Sequence, residues 1–205
     1  YMNKIYKSTD GGNNWNLKLE FDSHISGVKS GGYFEAMDFI NRDTGYVVGR
    51  FEKILRTRDG GETWDTLKLS YSTGPYYECT DVSFVNDTLG YVLLLERIDI
   101  YTNFGFKYHL LRTTDGGESW AITELDFNSL RDYYEHNIQT FGVDTFFIQL
   151  SSTQSDVNEI FRSYDGGQSL EQIPLPAAMG RSQYNPSHWL NDSTGLIYEG
   201  GDLRK

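Results

Sequence analysis

Four acidic side chains in predicted loops have the chemistry that hydrolysis of a glycosidic bond requires. That reaction needs two carboxylates that face each other across a cleft. The candidates are Glu35, Glu78, Asp81 and Glu135. None of these acids lies in a recognisable catalytic motif, and acids in loops are usually solvated. We therefore assign no catalytic residue from the sequence.

Binding of an acidic sugar would need several arginines that converge on its carboxylate. The arginines outside the repeated motifs are single residues spread along the chain. They are Arg50, Arg97, Arg131 and Arg181. Their spacing predicts no arginine cluster.

The histidines and the single cysteine lack the spacing that is typical of a metal site. The histidines are His24, His109, His136 and His188. Cys79 can form no internal disulfide, and we expect it to be a small buried apolar residue. No segment resembles a phosphate-binding glycine loop. The sequence therefore predicts neither a metal nor a cofactor.

Long segments rich in aromatic residues connect the predicted strands, and such loops commonly recognise ligands or partners. The alternative is that the aromatic side chains pack the loops onto the fold. The predicted binding residues are Tyr76, Tyr77, Tyr101, Phe104, Tyr133, Tyr134, His136, Arg181 and Tyr184. They could contact either a protein partner or a glycan.

A short motif occurs four times and indicates which elements carry these loops. It consists of two apolar residues, a basic residue, Ser or Thr, any residue, Asp-Gly-Gly, two mostly polar residues and Trp. Its aspartates are Asp10, Asp59, Asp115 and Asp165, which are 49, 56 and 50 residues apart. Its tryptophans are Trp15, Trp64 and Trp120, and Leu170 takes the place of the fourth.

The motif predicts a tight turn between two strands. Its aspartate can accept hydrogen bonds from N–H groups of the turn, and its glycines can adopt a positive φ. The tryptophan opens the next strand and can pack beneath the turn as an apolar plug. The basic residues could form a ring of positive charge, but we expect each to pair with acids of the neighbouring strand. These basic residues are Lys7, Arg56, Arg112 and Arg162.

A second motif between these copies reads as strand, polar turn and strand. It occupies residues 37–49, 82–93 and 188–198, with a shorter version at 139–148. The two motifs give a period of about 50 residues with four strands, which is typical of a β-propeller blade. We predict an all-β fold with one propeller domain over residues 1–205. Full blades are expected at 36–69, 81–125 and 139–173, and blade halves at 2–20 and 186–205.

The two blade halves leave the number of blades open. They could pair and close a four-bladed ring, which would remove the exposed strand edges. Alternatively, the chain is part of a larger propeller. Residues 200–205 favour the second interpretation, because they look like the approach to another strand.

The repeated turn resembles the Asp-box, also called the bacterial neuraminidase repeat. Together with the Gly-Tyr-Val hairpin, it is similar to the propellers of the photosystem II assembly-factor type and of secreted bacterial repeat proteins. The resemblance implies the fold over nearly the whole chain. It leaves the function open, because Asp-boxes occur in sialidases, xyloglucan-degrading glycosidases, sortilin-type receptors and scaffolds. Functional arginines in the assembly-factor propellers make the basic positions a further hypothesis.

The composition narrows the classes of partner. A net charge of −11 argues against nucleic acid and against an anionic membrane surface. The longest apolar runs are too short to span a bilayer. The chain contains 21 Gly and 15 Tyr, and this composition together with the resemblance predicts an extracellular or cell-surface location, with the periplasm as an alternative.

The sequence contains the complete set of repeated structural motifs, and we find no set of catalytic residues beside them. This combination predicts a non-enzymatic binding or scaffold module of an exported bacterial protein. The first alternative is a carbohydrate-active enzyme, related to sialidases or endo-glucanases. The second is a structural repeat domain within a large cell-surface protein, where other domains of a longer chain would be its partners.

Overall fold

The computed structural model describes residues 2–22, 33–51, 53–69, 77–97, 105–125, 135–152, 157–175 and 187–197. All regular secondary structure in these residues is β-strand, as predicted. The strands in chain order are β1 (Met2–Lys7), β2 (Asn16–Asp22), β3 (Phe34–Phe39), β4 (Gly45–Gly49), β5 (Lys53–Thr57), β6 (Asp65–Leu67), β7 (Tyr77–Phe84), β8 (Gly90–Arg97), β9 (Phe106–Thr113), β10 (Ala121–Leu125), β11 (Glu135–Thr140), β12 (Phe146–Ser152), β13 (Val157–Ser163), β14 (Glu171–Ile173), β15 (Ser187–Trp189) and β16 (Gly195–Ile197).

The strands form three four-stranded sheets and two two-stranded sheets, all antiparallel. Spatial order equals chain order in every sheet, since each strand pairs with the next one along the chain. The three complete sheets are β3–β6, β7–β10 and β11–β14, and the two-stranded sheets are β1–β2 and β15–β16. The first and last sheets remain separate in the described part of the chain, so no closed ring is formed.

The hydrophobic core lies between successive sheets. The second strand of each complete sheet alternates its side chains between the preceding and the following sheet. Tyr46 in β4 faces forward and stacks on Phe84 in β7, with ring centroids 3.6 Å apart. Val47 faces backward and packs with Ile5 and Leu55. Burial between sheets is the main source of stability, because a single sheet has two faces to cover.

The repeated Asp-Gly-Gly turn has one hydrogen-bonding pattern in all four copies. In the second copy, Thr57 Oγ1 donates to Asp59 Oδ1 at 2.8 Å and accepts from the Gly61 N–H at 2.8 Å. Asp59 Oδ1 also accepts from the Thr63 N–H at 2.9 Å. The equivalent aspartates Asp10, Asp115 and Asp165 make the same bonds. These bonds satisfy the backbone of a turn that makes no ladder contacts.

The turn tryptophans differ in burial according to whether another sheet packs on the preceding side of their own sheet. Trp120 is 6% exposed, because the sheet before it covers the turn. Trp15 is 62% exposed. Trp15 still lies beneath its turn and donates from Nε1 to the Gly12 carbonyl at 3.0 Å, but β1–β2 is the first sheet and no described residue covers the other side of the ring.

The basic residues of the motif copies do not all have the expected partner, an acid of the neighbouring strand. Only Arg162 pairs with an acid of the neighbouring strand, Glu171 in β14 at 2.8 Å. Lys7 instead reaches Glu62 in the turn of the next sheet at 2.8 Å. Arg56 is buried and reaches the next turn in the same way, donating to the Gly116 carbonyl at 2.8 Å. Lys7 and Arg56 therefore join successive sheets.

The first strands of successive sheets are joined by hydrogen bonds from side chain to backbone. Asp38 in β3 accepts from the Phe84 N–H in β7 at 2.7 Å. At the two following junctions, Ser83 accepts from the Thr140 N–H at 3.3 Å and Gln139 accepts from the Trp189 N–H at 3.0 Å. Each first strand is the edge of its sheet, so these bonds satisfy N–H groups that the ladder leaves unpaired.

Candidate functional site

Four charged residues meet at the end of the strands opposite the Asp-Gly-Gly turns. We call Glu35, Arg50, Glu78 and Arg97 the charged cluster. Glu35 and Glu78 lie near the starts of β3 and β7, while Arg50 follows β4 and Arg97 ends β8. In an antiparallel sheet the start of one strand lies beside the end of the next, so the topology places all four at one edge.

The charged cluster alternates in sign along a chain of ion pairs. Arg50 Nε lies 3.3 Å from Glu35 Oε1 and 3.4 Å from Glu78 Oε1. Arg97 Nη2 lies 3.0 Å from the same oxygen of Glu78. The Tyr33 ring covers the Arg50 guanidinium, with Cζ 5.3 Å from the ring centroid. A backbone bridge between Arg50 and Glu78 ties the two sheets together here.

The environment of the cluster favours recognition of a polar chain. Burial raises the pKa of Glu35, and the charge of Arg50 offsets part of that rise. The guanidinium of Arg97 is the most exposed member, whereas Glu78 is largely covered. Carboxylates can accept from peptide N–H groups, and guanidinium groups can donate to carbonyl or carboxylate oxygens. The alternation therefore suits an extended peptide with both kinds of group.

Two histidines, one in β9 and one in β11, have polar partners. His109 in β9 contacts Glu96 at 2.8 Å, and the ring centroid of Tyr77 lies 6.3 Å from that of His109. His136 contacts the Tyr108 hydroxyl at 3.2 Å, and burial lowers the pKa of His136 to about 4. His136 is therefore neutral at pH 7.

The predicted binding residues are only partly described. Tyr77 is half-buried in β7, and His136 is half-buried in β11. The other seven lie outside the described residues: Tyr76, Tyr101, Phe104, Tyr133, Tyr134, Arg181 and Tyr184.

The four candidate acids separate into different environments. Glu35 and Glu78 come together, but Arg50 contacts both of them. Asp81 lies apart and accepts from the Ile138 N–H at 2.7 Å, which joins two sheets. The side chain of Glu135 is outside the described residues.

Sequence reasoning missed the charged cluster, because Arg50 and Arg97 looked like scattered single residues. The available signal was their position, since each comes at the end of the second strand in successive repeats. Residues near the ends of the second strands of adjacent blades can contact the same side chain even when 47 residues separate them along the chain.

Asp81 gives a testable pH dependence. Burial raises its pKa to about 6, so the folded chain binds a proton here between about pH 4 and pH 6 that the unfolded chain does not. The contribution of Asp81 to the free energy of unfolding therefore falls as pH rises through this window, by about 3 kcal/mol. Asp81→Asn keeps an oxygen for the Ile138 N–H and removes the titration.

The measurement is the difference in free energy of unfolding between Asp81→Asn and the wild type, from urea denaturation at several pH values. We expect the free energy of unfolding of Asp81→Asn to increase relative to that of the wild type as pH rises from 4 to 7. Asp87→Asn, which changes an exposed acid, is the control for the replacement of Asp by Asn itself. A difference for Asp81→Asn that stays flat over this pH range would contradict the prediction.

The part of the chain that the structure describes contains no group of three or more His, Cys, Asp or Glu residues placed to hold a metal ion. Within the same residues, no helix has the length and apolar character needed to cross a membrane.

Comparison with known proteins supports the propeller fold. Residues 28–103 match the family described as photosynthesis system II assembly factor YCF48. A solved structure described as YCF48 bound to D1 peptide is 26% identical with a TM-score of 0.50, and the match covers 68% of this chain and 39% of that one. YCF48 from Cyanidioschyzon merolae is 22% identical with a TM-score of 0.49 over the same shares. A search of curated proteins gave no match.

The family match and the first of these structures confirm a bacterial neuraminidase repeat β-propeller similar to the photosystem II assembly factor. The chain spans 39% of the length of the solved structures it matches. The open arrangement of its sheets agrees with an arc of a propeller.

Proposed function

We propose that this chain is a non-enzymatic module that binds an extended segment of a partner protein at the charged cluster. The observation that carries the proposal is the alternating row Glu35, Arg50, Glu78 and Arg97, placed at the edge of two adjacent blades. Such a row offers acceptors and donors at successive points along a peptide.

The similarity to YCF48 supports a peptide as the ligand, since one of the solved structures is of YCF48 bound to a D1 peptide. Arg50 lies in contact with both nearby carboxylates, and these ion pairs favour a role of the cluster in recognition. The module would hold a segment of another protein during assembly.

An exported or cell-surface location forms part of the proposal. It rests on the Gly- and Tyr-rich polar composition and on the likeness to secreted repeat propellers. Cell fractionation with an antibody against the chain tests it, and recovery with cytoplasmic marker proteins would contradict it.

Loss of the exposed arginine should weaken peptide binding. We expect Arg97→Ala to lower affinity by about 10- to 100-fold, because one charge-assisted hydrogen bond contributes about 1.5–3 kcal/mol. The probes are the D1 peptide and peptides selected from a random display library against the wild type, with affinity measured by calorimetry.

Arg58→Ala is the matched control. Arg58 also pairs with a glutamate, Glu118 at 3.4 Å, but lies at the opposite end of the strands. Its loss should leave peptide affinity unchanged. Equal losses for Arg58→Ala and Arg97→Ala, or selection of no peptide at all, would contradict the proposal. Hydrolysis of fluorogenic glycosides that Glu35→Gln abolishes would favour the enzyme alternative instead.

A further inference from the structure

Phe51 has a backbone conformation that is unusual for a residue with a side chain. It follows Arg50 in the connection between β4 and β5, and its φ is 59°. The other positive φ values in the described part of the chain belong to glycines of the Asp-Gly-Gly turns. A left-handed φ is sterically costly for a bulky residue, and such residues cluster at functional sites where the surrounding structure holds them.

Hydrogen bonds fix the backbone around this conformation. The Arg50 N–H donates to the Tyr33 carbonyl at 3.0 Å, and the Phe51 N–H donates to the Tyr77 carbonyl at 3.0 Å. Tyr33 precedes β3 and Tyr77 opens β7. Two consecutive N–H groups therefore attach this connection to the starts of two adjacent sheets, and Glu78 directly follows one of the two acceptor residues.

The connection that contains Phe51 is short for its place in the blade. Residues 50–52 join β4 to β5, whereas residues 98–105 and 153–156 make the corresponding connections in the next two sheets. Tight connections between antiparallel strands commonly include a residue with positive φ, and Gly or Asn usually supplies it. Because the connection is short, the φ of Phe51 directly sets the direction in which the chain leaves Arg50.

Two further departures from regular sheet geometry occur at the same place. Glu35 is the extra residue of a β-bulge between β3 and β4, and bulges next to functional sites commonly redirect a side chain. A Cβ on Gly49 would collide with the Tyr33 carbonyl oxygen, so the chain just before Arg50 passes close to the start of β3. Three local distortions, at Glu35, Gly49 and Phe51, thus surround the ion pairs of Arg50.

We infer that Phe51 is a positioning residue for the charged cluster: its left-handed backbone conformation holds Arg50 between Glu35 and Glu78 before a peptide binds. The inference rests on the function proposed above and adds the residue that keeps the site in its binding form. Phe51 acts through its backbone, and its ring is dispensable. A side chain that is already held in place loses little conformational freedom on binding, so this arrangement raises peptide affinity.

Substitutions at Phe51 separate the backbone from the ring. Phe51→Pro and Phe51→Gly both remove the ring, but proline excludes a positive φ and glycine allows it. Phe51→Asn is the conservative variant, since asparagine tolerates the left-handed region. With the D1 peptide and the display-selected peptides as probes, we expect Phe51→Pro to lower affinity about tenfold or more, and Phe51→Gly and Phe51→Asn to stay within about threefold of the wild type.

The pKa of the Glu35 carboxyl reports the position of Arg50 in the absence of any peptide. Burial raises this pKa, the charge of Arg50 lowers it, and the charge of Glu78 raises it. Displacement of Arg50 should therefore raise the pKa of Glu35 further, which NMR titration of the side-chain carboxyl carbons measures. We expect that rise in Phe51→Pro and in Arg50→Gln, and the wild-type pKa in Phe51→Gly and Phe51→Asn.

A double-mutant cycle shows whether Phe51 acts through Arg50. In the Arg50→Gln background, Phe51→Pro should change neither the affinity nor the pKa of Glu35 any further, because the side chain that Phe51 positions is already gone. Circular dichroism checks that each variant is folded. Phe51→Val keeps the N–H and disfavours a positive φ, so it decides the question through a smaller change in the same direction if Phe51→Pro does not fold.

Several outcomes would overturn the inference. Equal changes in Phe51→Gly and Phe51→Pro would assign the effect to the ring. A wild-type Glu35 pKa in Phe51→Pro would show that Arg50 stays in place, and a shifted pKa without loss of affinity would remove the link to binding. A wild type that binds no peptide would contradict the proposed function alone, since the pKa of Glu35 still tests what holds Arg50.

Discussion

Replacing Tyr46 with alanine should lower the free energy of unfolding by about 3–5 kcal/mol, the range for removing a large buried aromatic side chain. Tyr46 is 1% exposed and stacks on Phe84 across the junction between two blades. Its hydroxyl donates to the Gly116 carbonyl at 3.0 Å, so it also ties strand β4 to the next Asp-Gly-Gly turn. The loss removes both ring contact and hydrogen bond, and leaves a cavity between the sheets.

Chemical denaturation measures the loss in free energy of unfolding. Two further variants separate the contribution of the hydrogen bond from that of the buried ring. Tyr46→Phe keeps the ring and should cost about 1 kcal/mol for the hydrogen bond alone. Tyr164→Ala removes a tyrosine that is half exposed, and should cost far less than Tyr46→Ala. Similar costs for Tyr46→Ala and Tyr164→Ala would show that contact between blades does not dominate stability.

Replacing Gly117 with alanine should also strongly lower the free energy of unfolding. Gly117 has a φ of 90°, and an added Cβ would lie 2.6 Å from Leu67 Cδ1 of the preceding blade. The positive φ alone costs about 1–2 kcal/mol for a residue with a Cβ. The overlap with a buried side chain adds about 1–3 kcal/mol, since a packed core has no room for it.

Gly12 is a matched control within the same chain. It occupies the equivalent position of the first turn with the same φ of 90°, but its added Cβ would meet only Trp15 at 3.8 Å. Gly12→Ala should therefore lower the free energy of unfolding only by the cost of the backbone strain. The difference between the two variants, measured by urea denaturation, isolates the contact between blades. Equal costs for the two variants would contradict this account of the packing.

The local structure of this protein was largely predictable from the sequence. The Asp-Gly-Gly turns could be recognised because their hydrogen bonds join residues within a few positions, such as Thr57, Asp59 and Thr63. The period of the turns then indicated four-stranded blades, and the pairing of each strand with its chain neighbour followed.

The junctions between blades were not predictable in the same way. Lys7 and Arg56 were expected to pair within their own sheet, yet their partners belong to the next turn. Trp15 and Trp120 have the same motif position and opposite exposure. In each case the deciding partner is about one repeat away in the chain, and the motif itself carries no information about it.

The candidate site depends most on the tertiary arrangement. The repeat alone determines an all-β propeller with four-stranded blades, because turn chemistry and strand alternation act over a few residues. The charged cluster exists only because stacking of two blades brings Arg50 against Glu78 and Arg97 beside the same carboxylate. Ion pairs form between side chains that are close in space, and that proximity is set by burial of the apolar faces between the blades.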